Sequence, residues 1–399
     1  MEKSTRRDFL RKAAVGSASV AAGITTGGLV PRRIFGQETS GFNRINYRQL
    51  GSTGFKVSEI GMGCMNMREP ELVHAAIDQG INYIDTAHSY MKGENEQIIG
   101  QVMKTKRDKV FLTTKVSSRN SEQMLGMMET SLKRLQTDHV DCMLMHSTNS
   151  RDQILNENLM KIFDMARKKG MTRFVGLSTH ADQAEVLDAV VESKFWEAIL
   201  ITYNYFSPPV VSASLEKARK AGIAIIAMKN LIAVERPRNP FPDIREDKSG
   251  KTTNQQALIK WVLNHPFVDT TIPGMTSFEQ LADDIAVMGL KLTFDDRSIL
   301  ERYGENTKGY YCHGLSGCTG CKDKCPKGVH INEINRCINY AYGYGNLELA
   351  HENYEALPPE WRVDACNDCE KCMVTCVNGL NLTENIHKAR TLFSQTFSV

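Results

Sequence analysis

The chain has 399 residues, room for two domains. Its 49 Lys and Arg nearly balance 46 Asp and Glu, so composition gives no sign of a nucleic-acid-binding surface. No run of 18 or more strongly apolar residues is present, which excludes an obvious membrane-spanning helix.

In chain order, residues 1–36 read as a targeting segment. Arg6 and Arg7 stand ahead of Phe9 and Leu10, the twin-arginine signal pattern, and a mildly apolar stretch runs from Ala13 to Ile24. The bland alternative is a basic tail. The signal reading predicts a periplasmic or otherwise exported protein, carried folded by the twin-arginine machinery. The cleavage site would fall between Ala22 and Gly36.

Residues 43–308 are the size of one (β/α)8 barrel. A hairpin with a Gly-rich turn is expected from Tyr47 to Ser58. Eight short apolar runs follow as candidate strands: Ile60–Cys64, Tyr83–Asp85, Val110–Lys115, Val140–Met145, Thr172–Ser178, Ala198–Thr202, Ala224–Met228 and Thr270–Ile272. Amphipathic helical patterns lie between them, at Glu71–Gln79, Glu122–Leu135, Asn158–Lys169, Asp182–Glu192, Ser212–Ala221, Asn254–Asn264 and Ser277–Met288. Repeated β-then-α units argue for a parallel sheet with crossover helices. An open doubly wound sheet is disfavoured, because no G-x-G-x-x-G follows the first strand. Residues 229–253 form the longest connection and should lie over the mouth of the barrel.

Three successive strands end in an ionisable group: Asp85, Lys115 and His146. Tyr90 follows five residues after Asp85. Polar residues at the C-terminal ends of barrel strands face the mouth, where barrel enzymes work. Singly, each has a structural explanation; four converging on one mouth suggest a site. An ammonium beside a phenol favours its ionised form, and a carboxylate holds the ammonium charged. An imidazole can orient a carbonyl oxygen. The set suits carbonyl reduction by hydride, with a small carbonyl or alcohol compound as substrate.

At these residues the chain resembles the aldo/keto reductases, from about residue 44 to 290. Ile84 to Tyr90 is similar to that family's second-strand motif, with Glu94 and Glu96 after it. The resemblance implies Tyr90 as acid/base, Lys115 as its pKa modulator, Asp85 as the partner of Lys115, and His146 as substrate orienter. It implies nicotinamide contacts at Ser178 and Thr179 (where the family has Asn), Asn204, and Met228 with Lys229. Met228 stands where many members carry an aromatic residue that stacks on the ring. The adenosine-phosphate segment would include Gly274, Ser277 and Gln280. Members that use NADPH carry cations at the places of Gly274 and Gln280, so NAD(P)(H) is admitted with no NADPH preference. A cation from Arg236 or Arg238 is the way that expectation could fail.

Residues 309–399 hold nine of the eleven cysteines. Cys366, Cys369, Cys372 and Cys376 form a C-x2-C-x2-C-x3-C run. Cys318, Cys321 and Cys325 recur 51 residues later as Cys369, Cys372 and Cys376, with Cys312 opening the first run. Such spacing suits [4Fe–4S] clusters, although disulfides and zinc also use closely spaced cysteines. It resembles two-cluster ferredoxins, which implies one cluster on Cys312, Cys318, Cys321 and Cys376 and another on Cys366, Cys369, Cys372 and Cys325. Cys337, inside a helical pattern, reads as a core residue. Tyr310 to Cys312 and Tyr340 to Tyr344 also resemble the iron–sulfur branch of the aldo/keto reductases. The expectation is therefore an α/β barrel followed by a small, mostly helical ferredoxin-like domain, serving an exported oxidoreductase, with an electron-transfer partner as an option. The rival is an electron-transfer or binding protein on a barrel that no longer uses nicotinamide.

Overall fold

The computed structural model describes residues 45–117, 121–231, 252–343, 345–366 and 369–394. The targeting segment, Arg236, Arg238, Tyr344 and most of the long 229–253 connection lie outside them.

A hairpin of β1 (Tyr47–Gln49) and β2 (Lys56–Ser58) opens the described chain. Eight parallel strands follow: β3 (Met62–Gly63), β4 (Tyr83–Asp85), β5 (Phe111–Val116), β6 (Val140–Met145), β7 (Thr172–Thr179), β8 (Ala198–Thr202), β9 (Ala224–Met228) and β10 (Thr270–Thr271). They neighbour one another in sequence order. Every residue of β5, β6, β8 and β9 is buried, because helices cover one face and the barrel interior the other.

The sheet closes on itself. Parallel bridges join Ile60 to Thr271 and Gly63 to Gly274, with the Gly61 amide donating to the Thr271 carbonyl at 2.8 Å. Glycine is required on both sides of β3, at this seam and towards β4. A Cβ on Gly63 would stand 2.8 Å from the Ile272 carbonyl oxygen, and one on Gly61 would stand 2.9 Å from that of Tyr83.

The crossover helices are α1 (Pro70–Asp78), α2 (Glu94–Lys106), α3 (Ser121–Leu135), α4 (Glu157–Lys168), α5 (Gln183–Ser193), α6 (Pro209–Lys220), α7 (Asn254–Leu263) and α8 (Phe278–Ile285). Their starts follow local chemistry. Asn156 accepts the first amides of α4, Thr253 and Gln256 make a capping box on α7, and prolines open α1 and α6. Sequence periodicity did not reveal α2. Its first turn buries polar Asn95 and Glu96 rather than an apolar stripe, since both are wired into the barrel mouth.

The hairpin seals the N-terminal end of the barrel. Leu50 and Val57 enter the interior cluster with Tyr83, Phe111, Leu144, Leu200 and Ile226. The Gly51 amide donates to Asp269 at 2.8 Å, just ahead of β10. Only the opposite end is left for chemistry.

After α9 (Phe294–Thr307), which packs on α7, three further helices form a second core: α10 (Ile331–Ile338), α11 (Leu347–Glu355) and α12 (Leu382–Phe393). Cys337 is fully buried in it. This helical region lies over the barrel mouth. Lys92 pairs with Glu348 at 3.0 Å and Lys322 with Asp182 at 2.8 Å. Buried Gln183 donates to the Leu315 carbonyl at 2.8 Å, and the Phe206 ring sits 4.7 Å from that of His313.

Candidate active site

Asp85 ends β4, Lys115 lies near the end of β5, and His146 directly follows β6, so neighbouring strands deliver all three to the mouth. The Lys115 ammonium donates to Asp85 Oδ1 at 2.5 Å, to the Thr86 carbonyl at 2.7 Å and to Tyr90 Oη at 3.1 Å. The His146 ring meets the Tyr90 ring edge to face at 5.9 Å.

Tyr90 is aimed by a strained turn. Met91 and Lys92 adopt φ of 52° and 54°, and Gly93 adopts 93°. A Cβ on Gly93 would strike the Arg134 guanidinium at 2.3 Å. That guanidinium donates to the His88 carbonyl at 3.1 Å and pairs with Glu96 at 3.4 Å, while Glu96 accepts from Thr114 at 2.7 Å. Left-handed backbone outside glycine persists where surroundings impose it, and here those surroundings position a phenol.

Burial opposes the charge on Lys115, but Asp85 and Tyr90 outweigh it and hold its pKa above the ordinary value. Burial raises the Asp85 carboxyl, and Lys115 only partly offsets it; the close ammonium contact makes the pair an ion pair. For Tyr90, burial raises the pKa more than Lys115 lowers it, so the phenol keeps its proton at neutral pH. Burial, then Lys115 and Lys229, push His146 down to about 3. Its imidazole is neutral and offers one N–H.

The residues expected around a nicotinamide stand differently. Ser178, Thr179 and Asn204 are fully buried. Ser178 Oγ accepts from the Ser147 amide at 3.0 Å, and Thr179 donates to Asn149 at 3.0 Å. Asn204 donates to the Lys229 carbonyl at 3.0 Å and accepts from the Phe206 amide at 3.0 Å. Each of the three thus has a hydrogen-bond partner inside the protein. Met228 and Lys229 do line the mouth. Gly274 is exposed, Ser277 caps α8, and Gln280 turns onto Thr276 at 2.7 Å.

A cavity of ≈ 1570 Å³ opens above Tyr90, His146, His180 and Lys229, roofed by Asn332, Arg336 and Tyr340 from the helical region. Asn149, His180 and Arg336 were not singled out from sequence. His180 stands beside the Ser178–Thr179 motif, where its proximity offered a signal; Arg336 offered none, because only tertiary packing brings it here.

All eleven cysteines are free. The fold gathers eight of them into two sets that cross the repeats. Cys312 is raised by burial and then by Cys321, Cys318 and Cys376. Cys366 is pushed up to about 11 by burial and then by Cys325, with Cys369 and Cys372 contributing. Cys325, Cys366, Cys369 and Cys372 line one small cavity. Among the described residues, no three His, Cys, Asp or Glu side chains stand close enough to hold a metal ion as they are. Several sulfurs accept N–H bonds: Cys312 from Gly314 at 3.2 Å, Cys376 from Asn378 at 3.4 Å, and Cys318 from the Asn378 amide side chain at 3.4 Å.

Residues 59–233 match the family model described as "Aldo/keto reductase family". "Uncharacterized oxidoreductase YqkF" of Bacillus subtilis is 24% identical over 296 residues, covering 64% of this chain and 95% of that protein. "Methylglyoxal reductase DkgB" of Salmonella typhimurium is 24% identical over 269 residues, covering 65% and 98%. Among solved structures, an aldo/keto reductase from Klebsiella pneumoniae in complex with NADP and acetate superposes with a TM-score of 0.55 at 25% identity, covering 63% of this chain and 93% of that one. The barrel of this chain is thus similar to the aldo/keto reductases, and the chain is an oxidoreductase of aldo/keto reductase-like type.

Proposed function

We propose that the protein is an exported iron–sulfur oxidoreductase that interconverts a carbonyl and an alcohol, with Tyr90 as its acid/base. The observation that carries this is the Lys115 ammonium, held between Asp85 and Tyr90 Oη at the floor of a roofed cavity. In reduction, the neutral His146 N–H holds the carbonyl oxygen and Tyr90 gives it a proton, while a bound reduced nicotinamide would supply the hydride to the carbonyl carbon and leave as its oxidised form. Lys115 stabilises the phenolate left behind, and Asp85 keeps the ammonium in place. Oxidation of the alcohol runs the same steps backwards. The relative described as a methylglyoxal reductase supports a small carbonyl substrate.

Nicotinamide binding is proposed without preference for NADPH. Gly274 and Gln280 offer no cation to a 2′-phosphate, and Gln280 turns onto Thr276. The same two residues favour the second reading, an electron-transfer or binding protein on a barrel that has given up nicotinamide.

The thiol sets support two [4Fe–4S] clusters, one held by Cys312, Cys318, Cys321 and Cys376 and one by Cys325, Cys366, Cys369 and Cys372. Soft donors in fours, with N–H bonds to sulfur, suit this group. When bound, such clusters pass single electrons, which implies an electron-transfer partner. Export before folding would separate the chain from cytoplasmic cluster assembly, which fits Arg6 and Arg7 as a twin-arginine signal.

Tyr90→Phe should lower kcat on a carbonyl substrate about 100- to 10,000-fold, and near-normal turnover would remove Tyr90 as the acid. His146 stays neutral in the folded protein down to about pH 3, whereas the unfolded chain protonates it near 6.5. The unfolded state therefore binds the extra proton between those values, and stability should fall as pH drops from about 6.5 towards 3. His146→Gln should flatten that slope in urea melts. Anaerobically purified protein should carry about eight irons. With Arg6 and Arg7 both changed to Lys, the protein should keep its iron but remain in the cytoplasmic fraction; zinc in place of iron, or unchanged location, would count against the corresponding part. Titration at low salt should show NADPH binding no tighter than NADH, and a tenfold preference for NADPH would overturn that expectation.

A further inference from the structure

Two side-chain amides line the cavity, one from the barrel and one from the helical region. The protein fixes the orientation of each, because an amide's two ends are told apart by the bonds they make. Asn149, in the loop after β6, accepts at Oδ1 from the Thr179 hydroxyl and from the His180 backbone amide, both at 3.0 Å. Its Nδ2 is left over and meets no acceptor among the described residues. Asn332, in the first turn of α10, is held the other way round. Its Nδ2 donates to Glu333 Oε1 at 3.3 Å, and its buried Oδ1 has no hydrogen-bond partner among the described residues. One amide therefore offers a donor and the other an acceptor.

His180 is the second observation. It lines the same cavity, is 9% exposed, and its buried Nδ1 has no hydrogen-bond partner among the described residues. Burial above all keeps this imidazole well below its ordinary pKa, so it is neutral, with one nitrogen that donates and one that accepts. Buried polar atoms without partners are uncommon, and a ligand is one way to complete them. That ligand must both give and take hydrogen bonds. A carboxylate gives none and cannot complete Asn332 Oδ1, whereas a hydroxyl does both. Charged groups of the roof are turned on counter-charges: Arg336 on Glu333 at 2.7 Å, Lys322 on Asp182 at 2.8 Å and Lys92 on Glu348 at 3.0 Å. An aromatic plane lies on the same cavity. Trp361 stands parallel to His330, with ring centroids 3.7 Å apart and planes at 10°. The C–H face of a closed sugar ring carries slight positive charge and packs on such a plane, while its hydroxyls point outward. At ≈ 1570 Å³ the cavity exceeds the roughly 300–1,000 Å³ of ordinary small-ligand pockets.

We propose that Asn149, His180, Asn332 and Trp361 form a subsite for a closed-ring sugar, so that the substrate is a glycoside. The subsite spans both parts of the chain, since the barrel supplies Asn149 and His180 and the helical region supplies Asn332 and Trp361. A closed glycoside holds no aldehyde. The alcohol of the reaction is then a ring hydroxyl and its oxidised form a ring ketone, by the same transfers as above. This assignment rests on the carbonyl–alcohol reading above, but binding is tested apart from turnover.

The test titrates the methyl α- and β-pyranosides of glucose, galactose and mannose into full-length protein, with no electron donor present. Calorimetry should show at least one of them binding at millimolar concentration or below. Asn332→Leu and His180→Phe should each weaken that binding about tenfold, with melting temperatures showing that both variants fold. A second readout needs no change to the polar groups. Trp361 is the one tryptophan of three that lines the cavity, so the bound glycoside should alter the protein's indole emission, and Trp361→Phe should remove the change. Binding of none of the glycosides, binding unaltered in both variants, or unaltered emission overturns the subsite. Adenosine binding more tightly than every glycoside assigns the plane to a base and overturns it too. Turnover is then followed as reduction of NAD+ or NADP+. Glycoside binding without turnover upholds the subsite while removing the carbonyl–alcohol reading. Turnover of benzaldehyde with NADH, while no glycoside binds, removes the subsite while that reading stands.

Discussion

A buried ammonium governs the mouth of this barrel. Lys115 is 1% exposed, and its charge survives there because Asp85 lies at 2.5 Å and the Thr86 carbonyl at 2.7 Å. Removing one partner of such a pair strands the other charge in a poorly solvated site, at about 3–5 kcal/mol. The arrangement is therefore tied to the register of β4 and β5, which pairs Asp85 with Thr113 and sets Lys115 two residues further along. The glycine seam at Gly61 and Gly63 belongs to the same constraint. Without close backbone approach there, the sheet would not close and the strand ends would not converge.

Around that pair the backbone departs from its relaxed forms where side chains must be aimed. Met91 and Lys92 follow Tyr90, Ser147 follows His146, and Lys229 follows Met228, all with positive φ. Ser147 and Lys229 sit just past strand ends, Met91 and Lys92 in the turn that leads into α2, and distant segments meet these turns, such as Arg134 against Gly93 and Asn204 on Lys229. The strain is local and the support is distant, the usual division between a functional loop and its scaffold.

The helical region does more than follow the barrel. Its ion pairs and ring contacts reach the loops after β4, β7 and β8. It roofs part of the barrel mouth, and it presents Tyr340 to Lys229. The eight grouped thiols lie in that same region, whose helices also roof the cavity that the barrel floors.

Much of this was readable in one dimension. Strands β4, β6, β8 and β9 have the bounds that their apolar runs imply, because a strand buried on both faces needs apolar residues throughout and polar neighbours at its ends. Asp85, Lys115 and His146 were visible as strand-end residues for the same reason, and the cysteine repeat was visible as spacing. Helix α2 was hidden, since Asn95 and Glu96 are buried for their hydrogen bonds rather than their apolarity. Side-chain direction was hidden too. Ser178, Thr179 and Asn204 stand in recognisable motifs, yet which way their polar groups turn depends on Ser147, Asn149 and Lys229, residues from other strand ends. Arg336 lies far along the chain from Tyr90, and only the docking of one folded unit over another brings it to the same cavity. Sequence by itself determined what each segment buries and which residues could do chemistry, because these depend on local periodicity and residue type. Tertiary structure alone decided which of them face one another, because that depends on contacts between segments with no relation along the chain.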